Sequence, residues 1–240
     1  KISGSGLPVF NQSFFFTAIQ LQNSCVGEVT SFELGDTSVS TASWNFGDGN
    51  TSNIISPTHI YNNEGTYTVS VTTNGVNGIS TATRNIIVYA TPTATQPISS
   101  LICDDNNDGF YNFDLTAKTS AILNGQSPTQ YGVRYYANAV DYANTIAITS
   151  PTNFPNTSAY QLQTIIAEVY NLDNSDCKAI TTFDIQVFES PLPSTTISPI
   201  QLCDNTSFGT DVDGKVVFNL TSKQTTILNG QSVTDFTLSY

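Results

Sequence analysis

The stretch best suited to chemistry is Asp104-x-Asn106-x-Asp108-Gly109, which places oxygen-bearing side chains at alternate positions before a glycine. A calcium loop needs that spacing, because a tight turn then aims several hard oxygens at one point, and residue 110 would add a backbone carbonyl. The twelfth position of an EF-hand loop falls on Leu115, which cannot chelate, and Asp114 lies one short of it. The pattern returns downstream. Asp204 matches Asp104, and Asp211-x-Asp213-Gly214 matches Asn106-x-Asp108-Gly109. Asn219 stands in the place of Asp114, which argues against Asp114 as a required ligand. The sequence thus offers calcium as a cofactor at Asp104, Asn106, Asp108, Asp204, Asp211 and Asp213. The plainer alternative is an Asx-rich turn bonding its own backbone.

The four cysteines are Cys25, Cys103, Cys177 and Cys203; no CxxC pair occurs and His59 is the one histidine, so a zinc site is not expected. Cys103 opens a module and Cys177 precedes that module's last strand, so these two are expected to be bridged. Closing that loop would stabilise by about 4 to 5 kcal/mol on the chain-entropy account. Cys203, the counterpart of Cys103, is left without a partner, and Cys25 reads as a buried thiol. Nucleophilic catalysis finds no support, since His59 is the one imidazole base in the sequence and it sits within a turn motif of the first module. No spacing singles out a carboxylate pair, and no phosphate loop is present. The chain reads as no enzyme.

What must position these residues is a set of repeated modules. Leu101 to Ser127 returns as Gln201 to Ser232, with Ile122-Leu123-Asn124-Gly125-Gln126-Ser127 unchanged at Ile227 to Ser232. Long-period self-similarity marks an array. Five residues are inserted in the second copy between its cysteine and Phe218. The expectation is that the chain is a piece of something longer: it holds no Met, and the second copy stops in mid-module at Tyr240.

Strand alternation is clear in Tyr67, Val69 and Val71, in Tyr131, Val133 and Tyr135, in Ile165, Ala167 and Val169, and in Phe183, Ile185 and Val187. Asn74-Gly75 or Asn77-Gly78 makes a hairpin turn. Thr116 to Leu123 reads as a short helix capped by Thr116 and ended at Gly125. Turns at about ten-residue intervals indicate β-sandwiches. The expected fold is all-β: tandem immunoglobulin-like sandwiches, the repeat modules carrying one short helix. Residues 1–21 are the end of a preceding module or an N-terminal strand, with Phe14 to Ile19 as that strand. Then come a sandwich at 22–90, a proline-bearing linker at 91–100, a repeat module at 101–189, a second linker at 190–199 and an incomplete copy at 200–240.

The net charge of −12, with seven basic residues, argues against nucleic acid. Charged residues are only 11%, so Thr, Ser and Asn supply the polar surface, a composition suited to an extracellular home. No apolar run is long enough to span a membrane.

Trp44-Asn45-Phe46-Gly47-Asp48-Gly49, then Ser56-Pro57-Thr58-His59-Ile60-Tyr61, then Gly65-Thr66-Tyr67-Thr68-Val69 resemble the PKD domain. That resemblance implies an immunoglobulin-like spacer of extracellular proteins, although Asn45 replaces the family's more usual Asp. Here Trp44 and Phe46 read as core, Asp48 as a turn residue and His59 as a structural hydrogen-bonder. Cys103-Asp104-Asp105, Asp108-Gly109, Phe113-Asp114-Leu115-Thr116, Tyr135-Tyr136, Asp141-Tyr142-Ala143 and the strand from Cys177 to Val187 resemble repeats of Bacteroidetes gliding-motility adhesins, exported by type IX secretion. The resemblance implies a stalk or attachment segment at the cell surface, whose partner is a surface polysaccharide or other substratum ligand. The alternative is a spacer or carbohydrate-binding portion of a secreted polysaccharide-degrading enzyme, to whose sugar platform Tyr135, Tyr136 and Tyr142 could contribute, although at least two of them read as core.

Overall fold

The computed structural model describes residues 18–76 and 78–240. Of the expected first strand, Phe14 to Thr17 lie outside the described residues. The chain packs as two compact units that interleave in sequence. One gathers the described residues up to Ser100 with Phe113–Phe154 and Gln163–Ile185; the other gathers Leu101–Asn112, Pro155–Leu162 and Gln186–Tyr240.

In the first unit, seven strands build a sandwich: β1 (Ile19–Gln22), β2 (Val29–Leu34), β3 (Val39–Asn45), β4 (Thr51–Ser52), β5 (Thr58–Ile60), β6 (Gly65–Gly75) and β7 (Gly78–Val88). One sheet runs β1-β2-β5 and the other β4-β3-β6-β7. The alternation of β6 buries Val69 and Val71 while Thr68 and Thr72 face out, as a half-buried strand requires. β6 and β7 pair down to Gly75 opposite Gly78, so the hairpin turn falls between them, where Asn77 lies outside the described residues. Phe32, Trp44, Phe46 and Tyr61 fill the core between the sheets. The Phe32 ring lies 5.6 Å from Trp44 and 5.2 Å from Phe46, the spacing of favourable aromatic pairs. Gly47 has φ +83, and a Cβ there would meet the Thr68 carbonyl at 2.7 Å, so only glycine lets the turn between β3 and β4 approach β6.

The same unit holds the helical part and much of the sheet of the repeat module. A 3-10 turn at Leu115–Lys118 runs into α1 (Thr119–Leu123), burying Leu115, Ile122 and Leu123. The cap is not Thr116, as expected, but Asp114, whose side chain accepts from the Thr116 amide at 2.9 Å. Asn219 does the same for Thr221 at 3.1 Å in the second copy. Aspartate and asparagine cap about equally well, so the exchange between copies follows from the capping role. Asn124 and Asn229 close their helices with φ of 44 and 51.

β10 (Tyr131–Tyr136) pairs antiparallel with β12 (Gln163–Asn171), and β12 with β13 (Lys178–Glu189). A second short helix, α2 (Ala139–Ala143), was not foreseen; Asn138 caps it through the Val140 and Asp141 amides. The two-residue strands β9 (Asn112–Phe113) and β11 (Phe154–Pro155) pair with each other. Glu168 is buried on β12, where Arg134 meets it at 2.6 Å and Lys178 at 3.0 Å. The Arg134 guanidinium lies 4.1 Å from the centre of the Tyr170 ring.

In the second unit, β8 (Ser100–Asp104) is the edge strand of the order β10-β12-β13-β8. The second copy supplies a 3-10 turn at Leu220–Lys223 and α3 (Gln224–Leu228).

Candidate functional site

The expected Cys103–Cys177 bridge is absent. Cys177 is bonded instead to Cys25, across 152 positions of sequence, while Cys103 and Cys203 are free and exposed. The geometry of β13 explains the correction. Cys177 stands just before its first residue, whereas β8 lies toward its other end, where Asn107 and Ser190 exchange two hydrogen bonds of 3.0 and 2.7 Å. Twelve residues of β13, roughly 40 Å of strand, separate the two ends.

Cys25 sits between β1 and β2, where it forms a parallel bridge with Tyr89, the residue after β7. The Val26 amide donates to the Tyr89 carbonyl and the Tyr89 amide to the Ser24 carbonyl. Asn23, at φ 64, turns the chain and accepts from the Cys25 amide at 3.0 Å. The partner cysteine is held in the β12–β13 turn. The Asn171 amide donates to the Cys177 carbonyl, and the Cys177 amide to the Asn174 carbonyl. Side chains of the same turn reach back: Asn171 donates to the Ala90 carbonyl at 3.0 Å and Asn174 to the Ser24 hydroxyl at 3.2 Å. Both sulfurs are buried.

The linker that follows Tyr89 is strapped down as well. Gln126, just past α1, accepts from the Thr93 amide at 2.9 Å and donates to the Thr93 carbonyl at 2.7 Å. The Thr95 amide donates to the Ile122 carbonyl at 3.0 Å. In the second unit the counterparts do the same. Gln231 accepts from the Leu192 amide at 2.6 Å and donates to the Ser190 carbonyl at 2.8 Å, and the Ser194 amide donates to the Ile227 carbonyl. This clasp was missed in the sequence, although the unchanged run ending Asn-Gly-Gln-Ser was its signal.

The acidic loops form networks with their own backbone. Asp104, buried, accepts from the Gly109 and Asn106 amides; Asn106 accepts from the Asp108 amide, and Asp108 from the Phe110 amide. Gly109, at φ +81, leaves no room for a Cβ against Ala159. In the second copy Asp204 accepts from the Gly214 amide at 2.7 Å, preserving the Asp104–Gly109 bond despite the insertion. Asp213 accepts from the Thr210 and Lys215 amides, and Asp211 is exposed. Among the described residues, no group of three or more His, Cys, Asp or Glu is placed to hold a metal ion.

His59 stacks on Phe46 with ring centres 4.2 Å apart and meets Asp48 at 2.7 Å. Burial pushes the Asp48 carboxyl up, but hydrogen bonds from His59 and Asn50 outweigh it and hold it below its ordinary value. The Tyr61 hydroxyl donates to the Phe46 carbonyl at 3.0 Å, and burial raises its pKa strongly. The three sequence motifs thus converge on one packed corner. Residues 16–89 match the family model of the PKD domain.

That sandwich is a PKD domain. The PKD1 domains of Vibrio anguillarum Epp and of the Vibrio cholerae metalloprotease PrtV are 28% and 25% identical to it. Each covers 30% of this chain, with 88% and 91% of its own length matched and TM-scores of 0.25 and 0.26. Collagenase ColA of Clostridium perfringens is 33% identical over 95 residues, which are 39% of this chain and 8% of the collagenase. The chain therefore spans a small fraction of that relative. Residues 99–193 match the family described as the Flavobacterium inter-domain disulphide bond domain. Cys177 lies within this second match and Cys25 within the PKD domain, so the bond joins the two domains. Disulfide-bearing domains of these types are typical of extracellular proteins. No helix among the described residues is long and apolar enough to cross a membrane.

Of the three tyrosines weighed for a sugar platform, Tyr135 and Tyr136 are core, in line with the expectation that at least two would be. Tyr135 packs edge-on against Phe183, and Tyr136 edge-on against Tyr142.

Proposed function

We propose that this chain is a non-catalytic stalk segment of a large extracellular adhesin of the gliding-motility kind, holding an attachment surface away from the cell. One observation carries the reading: the Cys25–Cys177 bond fastens the PKD domain to the domain that follows it. Inter-domain joints within a chain are ordinarily mobile. A covalent fastening, a strapped linker and asparagine contacts remove that freedom, which suits a spacer that transmits force. The ligand in this reading is a surface polysaccharide or another substratum molecule, met by loops at the module ends. The test is a strain lacking the whole protein, which should lose surface attachment or surface-dependent movement; wild-type attachment would contradict the reading.

A second reading is favoured by the 33% identity to part of a collagenase: a spacer within a secreted hydrolase. A catalytic domain elsewhere in the same natural chain, with normal attachment in the deletion strain, would decide for it.

A further inference from the structure

Strand β7 forms one border of the PKD domain's larger sheet, and among the described residues it pairs with β6 alone. Edge strands are ordinarily blunted by proline, lysine, a bulge or shortness, because their open amides and carbonyls invite another strand. β7 carries none of these guards. It is eleven residues long, contains no Pro, Lys, Asp or Glu, and keeps an unbroken register with β6 from Gly65 opposite Val88 to Gly75 opposite Gly78. Its one charge, Arg84, is turned to its own chain, where it donates to the Ile19 carbonyl at 2.7 Å.

Tyr89 shows which backbone groups face the open border. Its amide donates to the Ser24 carbonyl and its carbonyl accepts from the Val26 amide, away from β6. Alternate residues of a strand point their backbone groups to the same side. Ile87, Asn85, Thr83, Thr81 and Ile79 therefore hold their amides and carbonyls on the open border, and their side chains are exposed as well. These five are symmetric in character about Thr83, with a polar residue two positions to either side and an isoleucine four positions to either side. Such a strand is complementary to itself.

We propose that this border is a docking surface for a second copy of the chain, β7 against β7, antiparallel about a two-fold axis at Thr83. One patch then meets itself, as a two-fold interface requires. Thr83 faces Thr83 of the second copy, Thr81 faces its Asn85, and Ile79 faces its Ile87. All five open residues exchange both of their bonds, giving about ten N–H···O=C bonds across the junction. The two isoleucine pairs cover side chains that are 77% and 51% exposed in the single chain. Moving the axis one residue either way leaves one isoleucine unpaired and sets the other against Asn85 or Thr81. On the opposite face Arg84 meets Ala82 of the second copy, so no like charges stand directly opposite each other. The pairing holds or fails whether or not the protein mediates attachment.

The experiment is sedimentation velocity of the oxidised chain from micromolar to millimolar concentration, with cysteine cross-linking to read the register. The expected result is a concentration-dependent dimer. Thr83→Pro removes an amide from the open border and none from the β6 ladder, so it should leave thermal unfolding nearly unchanged and weaken association about tenfold or more. Thr83→Lys sets two ammonium groups face to face at the axis and should weaken association likewise, without altering the backbone. With Cys103→Ser and Cys203→Ser in place, Thr83→Cys should cross-link to itself. Thr81→Cys should cross-link to Asn85→Cys in a mixture faster than to itself, since opposed Cα atoms in such pairs lie about 5.5 Å apart, within disulfide reach. A monomer at every concentration, a dimer unaffected by both Thr83 substitutions, or cross-linking no faster at residue 83 than in a Thr41→Cys control would overturn the proposal.

Discussion

Cys25 and Cys177 are joined with their Cα atoms 5.3 Å apart although 152 positions separate them, and each belongs to a different domain. A loop of that size loses about 5 kcal/mol of denatured-state entropy on the chain-entropy account, an upper figure. Cys25→Ser should therefore lower stability in urea by several kcal/mol and should split unfolding into separate transitions for the two domains. Cys103→Ser should leave this chain's unfolding unchanged. Equal effects of the two substitutions would refute the assignment of the bond as the fastening element.

The clasp at Gln126 predicts a local effect. Gln126→Ala removes one acceptor and one donor from Thr93, which should cost about 1 kcal/mol. Hydrogen exchange at the Thr93 amide should quicken while exchange in β6 stays the same. Unchanged protection at Thr93 would show that the linker is held by its buried prolines, Pro92 and Pro97, and not by the glutamine.

Glu168 is buried, while Arg134 and Lys178 remain partly open to solvent. Removing both cations strands a buried carboxylate and should cost about 3 to 5 kcal/mol, more than Glu168→Leu, which leaves the cations with water. A hydrogen bond to Glu168 is the main cause that raises the Lys178 pKa above its ordinary 10.5. A raised folded pKa contributes stability that is complete below the unfolded value. Alkaline unfolding should thus begin above about pH 10.5 and be relieved in Lys178→Ala. An alkaline limb identical in that variant would contradict the pairing.

The parts of this fold that were legible in the sequence are those fixed by local pattern. The β6 alternation, the helix after Leu115 and the Trp44–Phe46 core follow from side-chain period and turn residues within one module. The cap was misplaced by two residues because Asp114 and Thr116 are both capping types, and only the extended φ and ψ of Asp114 separate them. The disulfide was misassigned for a different reason. Position within a module suggests an internal bond, but the pairing is set by which turn meets which domain edge, and no periodicity carries that information. The acidic loops were legible as turns and as oxygen clusters alike; the amide bonds to Asp104 and Asp108 appear only in three dimensions.

Those amide bonds bear on calcium. Carboxylate oxygens already engaged by backbone donors gain less from a cation than free ones would. The expected outcome is a melting temperature unchanged between millimolar calcium and excess chelator. A rise with calcium that disappears in Asp104→Ala with Asp108→Ala would instead show the loop to be a cation site, through stabilisation of the folded state by mass action.

The central claim, a stalk segment fastened across its domains, is tested most directly by pulling the oxidised chain from its two ends in a single-molecule force experiment. The residues between Cys25 and Cys177 are then shielded, and on the order of 500 Å of extended chain, from 152 steps of at most about 3.6 Å, should be released only after a reductant is added. Release of that length from the oxidised chain would contradict the account.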